Sequence, residues 1–377
     1  MHPLRGCGTA LVTPFHQDGS VDEAALRNLV AWQVESGIDF LVPCGTTGET
    51  PTLSHDEWRR VIEITVEVAA GRVPILAGAT SNSTRDAVEK AKETAAIPGV
   101  DAILTASPYY NKPTQEGQYR HFHAIAEAVD KPLILYNVPG RTGANIEPAT
   151  LARLAEVPNI AGVKEASGNM TQIAEVCNAV PPHFLVFSGD DAITLPVIAL
   201  GGVGVISVAS NEIPHEMAEM TRAALSNNWD EARRIHRRYL GLMQANFIES
   251  NPLPVKAVLA MMGKIEEVYR LPLLPMRRDM RSKLQKIATE AGVITKPAPA
   301  PGSDAVDFYI YENWLAGPHK IVLHRSNCGQ CNHGKGRPSG HDANHAKWHG
   351  PYTTLAEARE ISHNMAGVLI RSECKCI

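Results

Sequence analysis

The chain has no stretch approaching the ~20 consecutive apolar residues that a membrane-spanning helix needs, so a helical span is excluded. Met1-His2-Pro3-Leu4-Arg5 leads into a short strand where a secretory signal would carry an apolar run, and the expected location is cytoplasmic. Neither sign of charge prevails. Its 36 Lys and Arg face 40 Asp and Glu, a net charge of −4, and without a global basic field nucleic acid is not an expected partner. Cysteine is sparse over the first 300 residues: Cys7, Cys44 and Cys177 stand far apart and read as reduced core thiols. What the chain does have is length and apolar content, 377 residues of which 44% are hydrophobic, enough for a large buried core.

Eight short apolar runs recur with helical segments between them: Thr9 to Val12, Phe40 to Val42, Val73 to Ala77, Ala102 to Leu104, Leu133 to Tyr136, Ile160 to Val163, Phe184 to Phe187 and Val203 to Val208. Nearly continuous apolar strands suit a parallel sheet covered on both faces, and eight β–α repeats within about 210 residues predict an α/β fold, a (β/α)₈ TIM barrel over residues 1–225. Periodicity alone does not prove closure. A C-terminal helical appendage is expected over 226–294, and Thr-Lys-Pro-Ala-Pro-Ala-Pro-Gly at 295–302 reads as a semi-rigid linker. A small α+β module follows at 303–377: residues 307–323 alternate like a strand, 324–350 form a His, Gly and Lys-rich loop, and Thr354 to Met365 is one helix.

In a (β/α)₈ barrel the reactive groups stand where strands end. Lys164 follows Ile160-Ala161-Gly162-Val163, so its amine emerges from an apolar strand, where desolvation favours the neutral, nucleophilic form that imine chemistry requires. Taken alone, a lysine there is more often a solvated charge or a phosphate ligand. Gly45-Thr46-Thr47-Gly48-Glu49 after the second strand sets two hydroxyls between glycines, a cradle for a carboxylate or simply a capped turn. Tyr136 offers a phenol able to shuttle a proton, and Arg141 a planar fork suited to a carboxylate, with a buried structural tyrosine and a surface salt bridge as the plainer readings.

Six strings together carry a specific resemblance: Gly-Thr-Thr-Gly-Glu at 45–49, Pro-Tyr-Tyr-Asn at 108–111, Tyr-Asn-Val-Pro-Gly-Arg-Thr-Gly at 136–143, Val-Lys-Glu-Ala-Ser-Gly at 163–168, Ser-Gly-Asp-Asp at 188–191 and Asn-Pro-Leu-Pro-Val-Lys at 251–256. From residue 4 to about 293 the chain resembles the pyruvate-dependent class I aldolases, and within them the 4-hydroxy-tetrahydrodipicolinate synthase (dihydrodipicolinate synthase) family. The resemblance implies a lyase of the diaminopimelate route to lysine that condenses pyruvate with L-aspartate 4-semialdehyde, without a catalytic cofactor, as a homotetramer built as a dimer of dimers. It implies that Lys164 forms the imine, that Tyr136, Thr46 and Tyr110 relay protons, with Tyr110 serving a neighbouring subunit, and that Thr47 holds the pyruvate carboxylate. Arg141 would receive the carboxylate of the aldehyde, and Gly189 and Ile206 would line the pocket. The Arg-Thr-Gly run sets the chain apart from the sugar-acid and N-acetylneuraminate lyases of the superfamily, which are the alternative. A catalytically retired barrel with a binding tail is another. His55, Asn82, Asp86 and Tyr109 match an allosteric lysine site in inhibited relatives, but Pro51 and Trp58 replace other residues there and Asp86 shortens a glutamate, so inhibition stays open.

The module after the linker lies outside that resemblance. Cys328, Cys331, Cys374 and Cys376 offer four thiolates for a structural zinc, with His324 and His333 as alternative ligands, or else a redox-active or reduced thiol set, or disulfides. Residues 318–349 hold five Lys or Arg and six His against one Asp, and read as a solvated loop.

Overall fold

The computed structural model describes residues 4–295, 308–313, 320–325, 328, 331, 346–365 and 370–374. The chain divides after Thr295 into two compact units.

In the first unit, eight parallel strands, β1 (Gly6–Ala10), β2 (Phe40–Val42), β3 (Leu76–Gly78), β4 (Ala102–Ala106), β5 (Leu133–Asn137), β6 (Ile160–Glu165), β7 (Leu185–Ser188) and β8 (Gly204–Ser207), pair in the order β2-β1-β8-β7-β6-β5-β4-β3. The ends of that order meet. Leu41 bridges Ile75, the Leu41 N–H donates to the Pro74 carbonyl at 3.0 Å, and the Gly78 N–H donates to the Pro43 carbonyl at 3.0 Å, so the sheet closes into the expected barrel. Gly78 is required at that seam, since a Cβ there would stand 1.9 Å from the Cys44 carbonyl oxygen.

Alternation along the strands sorts the apolar side chains into two layers. Phe40, Val42, Leu76, Leu104, Ile134, Tyr136, Phe187 and Ile206 form the interior of the barrel. Ile103, Leu133, Leu135, Val163 and Val186 point outward and pack beneath helices that include Thr84–Ala96, Gln115–Glu127 and Met170–Ala179. Their starts follow from capping side chains: Asp22, Ser54, Ser83, Thr114 and Asn169 each accept an N–H of the first turn, and Ser54 with Glu57 completes a reciprocal capping box. Pro214–Leu225 is the helix after β8, and Trp229–Ala245, Leu253–Met261 and Arg278–Glu290 follow it.

In the second unit, β9 (Phe308–Asn313), β10 (Lys320–Arg325), β11 (Ala346–Tyr352) and β12 (Ile370–Glu373) form a sheet in the order β11-β9-β10-β12, with the helix Leu355–Asn364 capped by Thr354. β9 runs antiparallel to β10 and β11, and β12 runs parallel to β10. The alternating stretch 307–323 therefore holds parts of two strands. β11 corrects the expected loop over 324–350, because Trp348 and His349 pair in register with Tyr311 and Ile310.

Candidate active site

Lys164 sits one residue before the end of β6, in register with Tyr136 of β5 on one side and Phe187 of β7 on the other. Shared register and shared direction follow from the parallel pairing, and both Tyr136 and Phe187 belong to the interior layer. Lys164 is only 5% exposed, and its Nζ lies 4.4 Å from the centroid of the Tyr136 ring. An amine is thus held against the π-face of a phenol, between the interior residues Tyr136 and Phe187. The next residue, Glu165, faces outward: its carboxylate accepts from Asn137 Nδ2 at 2.9 Å and from the Ser167 N–H at 2.7 Å, tying together the loops after β5 and β6.

The Gly45–Glu49 string forms a 3₁₀ turn over Thr46–Gly48 at the end of β2. It is braced from several directions. Thr13 Oγ1 donates to the Gly48 carbonyl at 2.7 Å, Thr50 Oγ1 donates to the Gly45 carbonyl at 2.9 Å, and Asn251 Nδ2 donates to Thr47 Oγ1 at 3.0 Å. Thr47 is buried, and Thr46 half-buried. Beneath the turn, the fully buried Lys256 donates to Glu49 Oε1 at 2.6 Å and to the Thr13 carbonyl at 3.0 Å. Burial drives the Lys256 amine toward lower proton affinity, and the Glu49 carboxylate opposes that drive.

Arg141 closes a short helix, Pro139–Thr142, and is exposed, with one nitrogen donating to the Asn251 carbonyl at 3.1 Å. Among the described residues no carboxylate pairs with it, so its fork keeps donors for a ligand. Gly189 follows β7, where its N–H donates to the Glu165 carbonyl at 2.8 Å and a Cβ would meet that of Ala166 at 2.6 Å. Ile206 is buried on β8. Tyr110, at φ +71° and 88% exposed, is not gathered with the others in this chain.

His55 and Asp86 line a cleft of about 370 Å³ with Trp58, Glu89, Lys90 and Glu93. His55 Nε2 lies 2.6 Å from Glu93, and Lys90 stacks over Trp58 at 5.1 Å. Asn82 donates instead to the Tyr109 carbonyl, at 3.3 Å.

In the second unit the metal expectation changes in composition. His324, Cys328 and Cys374 bring their ligating atoms within 4.8 Å of one another, Cys331 is buried in the turn after Cys328 but outside that trio, and Cys376 and His333 lie outside the described residues.

Asn251 and Lys256 were quoted in the sequence only as part of a string. The signal for Lys256 is a charged residue inside the otherwise apolar helix Leu253–Met261, which demands a buried partner. For Asn251 no single-sequence signal exists.

Comparison with known proteins covers this first unit. A family model described as the Dihydrodipicolinate synthetase family matches residues 3–291. The chain is 74% identical over 291 residues to 4-hydroxy-tetrahydrodipicolinate synthase of Koribacter versatilis, covering 77% of this chain and 97% of that protein. It is 60% identical to the Acidobacterium capsulatum protein of the same name, covering 79% and 99%. Among solved structures, the chloride-inhibited dihydrodipicolinate synthase of Acinetobacter baumannii complexed with pyruvate superimposes with a TM-score of 0.76 at 44% identity, covering 78% of this chain and all of that one, 100%. The eight-stranded barrel, the strings at its strand ends and these matches together establish that the chain belongs to the dihydrodipicolinate synthetase family.

Proposed function

We propose that the barrel is a 4-hydroxy-tetrahydrodipicolinate synthase, a lyase that joins pyruvate to L-aspartate 4-semialdehyde through an imine on Lys164. The observation that carries this reading is the buried Lys164 amine, 4.4 Å from the Tyr136 ring at the mouth end of β6.

In this reading the neutral amine of Lys164 attacks the pyruvate carbonyl, and loss of water gives the imine. The imine is the electron sink, so loss of a methyl proton yields an enamine without a metal or organic cofactor. The enamine carbon attacks the aldehyde, whose oxygen takes up a proton. The acceptor's own amine then adds to the imine carbon and expels Lys164 as the ring closes. Tyr136, with Thr46, moves protons to and from these centres, and Tyr110, whose exposure suits a place in another subunit's mouth, extends the relay in a homotetramer. Thr47, braced by Asn251, holds the pyruvate carboxylate, Arg141 receives that of the aldehyde, and Gly189 and Ile206 shape the wall.

The test is borohydride trapping with pyruvate, followed by an acceptor screen. One reduced adduct per chain on Lys164, and turnover of aspartate 4-semialdehyde in preference to sugar acids, are expected; Lys164→Ala should lose the adduct and at least about 10³-fold in turnover. An unlabelled Lys164, or turnover confined to sugar acids, would overturn the reading.

A further inference from the structure

The second unit lies outside the family match. Among its described residues, Ile310, Ile321, Leu323 and Ala358 form the buried cluster, with Phe308, Tyr352, Leu355, Ile361 and Met365 partly covered around it. Units of roughly 80 residues rarely draw more than about 3–5 kcal/mol from a single core, and commonly add a disulfide or a metal.

Three ligating atoms converge at one corner of the sheet. His324 Nδ1, Cys328 Sγ and Cys374 Sγ lie within 4.8 Å of one another, and the first two are 3.2 Å apart. Zinc bonds of about 2.3 Å to sulfur and 2.0–2.1 Å to nitrogen, at tetrahedral angles, set such ligands about 3.6 Å apart, so this pair needs to open by only a few tenths of an ångström.

The backbone produces this convergence. β10 and β12 are parallel and their last pair is Leu323 with Glu373, so His324 and Cys374, one residue beyond that pair, stand side by side. The Cys374 N–H donates to the Leu323 carbonyl at 2.8 Å, and the Cys328 N–H turns back to the Arg325 carbonyl at 3.1 Å. The Cys331 N–H donates to Cys328 Sγ at 3.3 Å. His324 is 4% exposed, and the edge-on ring of Trp348, 5.3 Å away, holds its imidazole in place.

We propose that His324, Cys328 and Cys374, with the buried Cys331 as fourth donor, form a tetrahedral site for a zinc-class ion that pins the carboxyl ends of β10 and β12 together. Thiolates with an imidazole select a soft or borderline ion over magnesium or calcium, and binding releases the thiol protons to solvent. The role assigned to the ion is to hold the sheet.

The experiment uses the full-length chain, kept reduced and stripped of metal, titrated with Co²⁺ as the spectroscopic probe and Zn²⁺ as competitor. About one Co²⁺ per chain should bind with tetrahedral d–d bands and thiolate-to-cobalt charge transfer, and about one equivalent of Zn²⁺ should displace it. Cys328→Ser, Cys331→Ser and Cys374→Ser should each weaken binding by about 100-fold or more, while borohydride trapping of pyruvate on Lys164 stays at the wild-type level. Should the serine variants unfold the sheet, His324→Cys keeps the proposal testable: it should retain the ion and intensify the charge-transfer band. Fewer than about 0.2 Co²⁺ per reduced wild-type chain, undiminished binding by the Cys328→Ser/Cys374→Ser double variant, or a Cys328–Cys374 disulfide under reducing conditions would overturn the site.

Discussion

The two units bury polar groups on different terms. In the first, the barrel's two apolar layers are large enough to enclose an ammonium and a carboxylate, Lys256 and Glu49, both with fully buried side chains, beneath the turn that carries Thr46 and Thr47. In the second, among the described residues, Ile310, Ile321, Leu323 and Ala358 form the buried cluster, Glu312 is buried beside His349, and sulfur and imidazole converge at the carboxyl ends of β10 and β12. The contrast teaches that different polar groups can hold a strand end or loop in place. The barrel bears the desolvation of an ion pair and uses it to fix a loop, whereas the second unit brings soft ligand atoms together at its strand ends.

The sharpest way to break that contrast is to leave one charge of the barrel pair alone. Lys256→Met should cost about 3–5 kcal/mol of the first unit's stability, because Glu49 is then buried without its cation, and the Glu49→Leu/Lys256→Met double variant should recover much of it in denaturant titrations. Equal losses in the single and double variants would mean that the pair's geometry, not its charge balance, carries the effect. Next in size, Leu323→Ala should cost about 3 kcal/mol in the second unit, where it lies in the buried cluster. Calorimetry should show the minor transition lost and the barrel transition unmoved.

Acid tests the first unit in another way. Burial holds His121 at about 4, with Thr84 Oγ1 2.9 Å from its Nδ1, against an ordinary value of 6.5. The folded barrel thus prefers the neutral ring, so its contribution is complete above pH 6.5 and is lost progressively as the pH falls toward 4, by about 3 kcal/mol. His121→Gln should flatten that part of the stability profile. Glu57, held down at about 2 by the Arg270 guanidinium, acts in the adjoining window, losing its contribution as the pH falls from 4.5 toward 2. The smallest effect is expected from Asn251→Ala, which removes one neutral hydrogen bond to Thr47 and should raise KM for pyruvate about five- to ten-fold with kcat little changed.

The eight strands were legible because parallel barrel strands are apolar on both faces. The start of β1 was not, because Gly6 and Gly8 carry no apolar signal: their smallness is imposed by Asp39 and the Phe40 ring, which a Cβ would meet at 2.3 and 2.0 Å. Closure was invisible for the same reason, resting on Gly78 and two backbone hydrogen bonds at the β2–β3 seam. β11 escaped because its residues Lys347 to Pro351 mix His, Gly and Pro, and only pairing with β9 makes them a strand. The reactive side chains announce themselves by type at strand ends. Their supports do not, since Glu49 and Lys256 meet across 207 positions and Asn251 reaches Thr47 across 204. Cys328, Cys374 and His324 were all visible as metal-ligand types, but which of the candidates come together follows only from the β10–β12 register.

Asn251 reaches two places at once: its amide holds Thr47 and its carbonyl holds Arg141. In the proposed reaction those two residues grip the acid groups of the two substrates, so a single rigid residue works as a gauge block between them. The length of the acceptor is then read mechanically, and an aldehyde one carbon longer or shorter would bring its reactive carbon to the wrong height above the enamine even while its carboxylate is well bound.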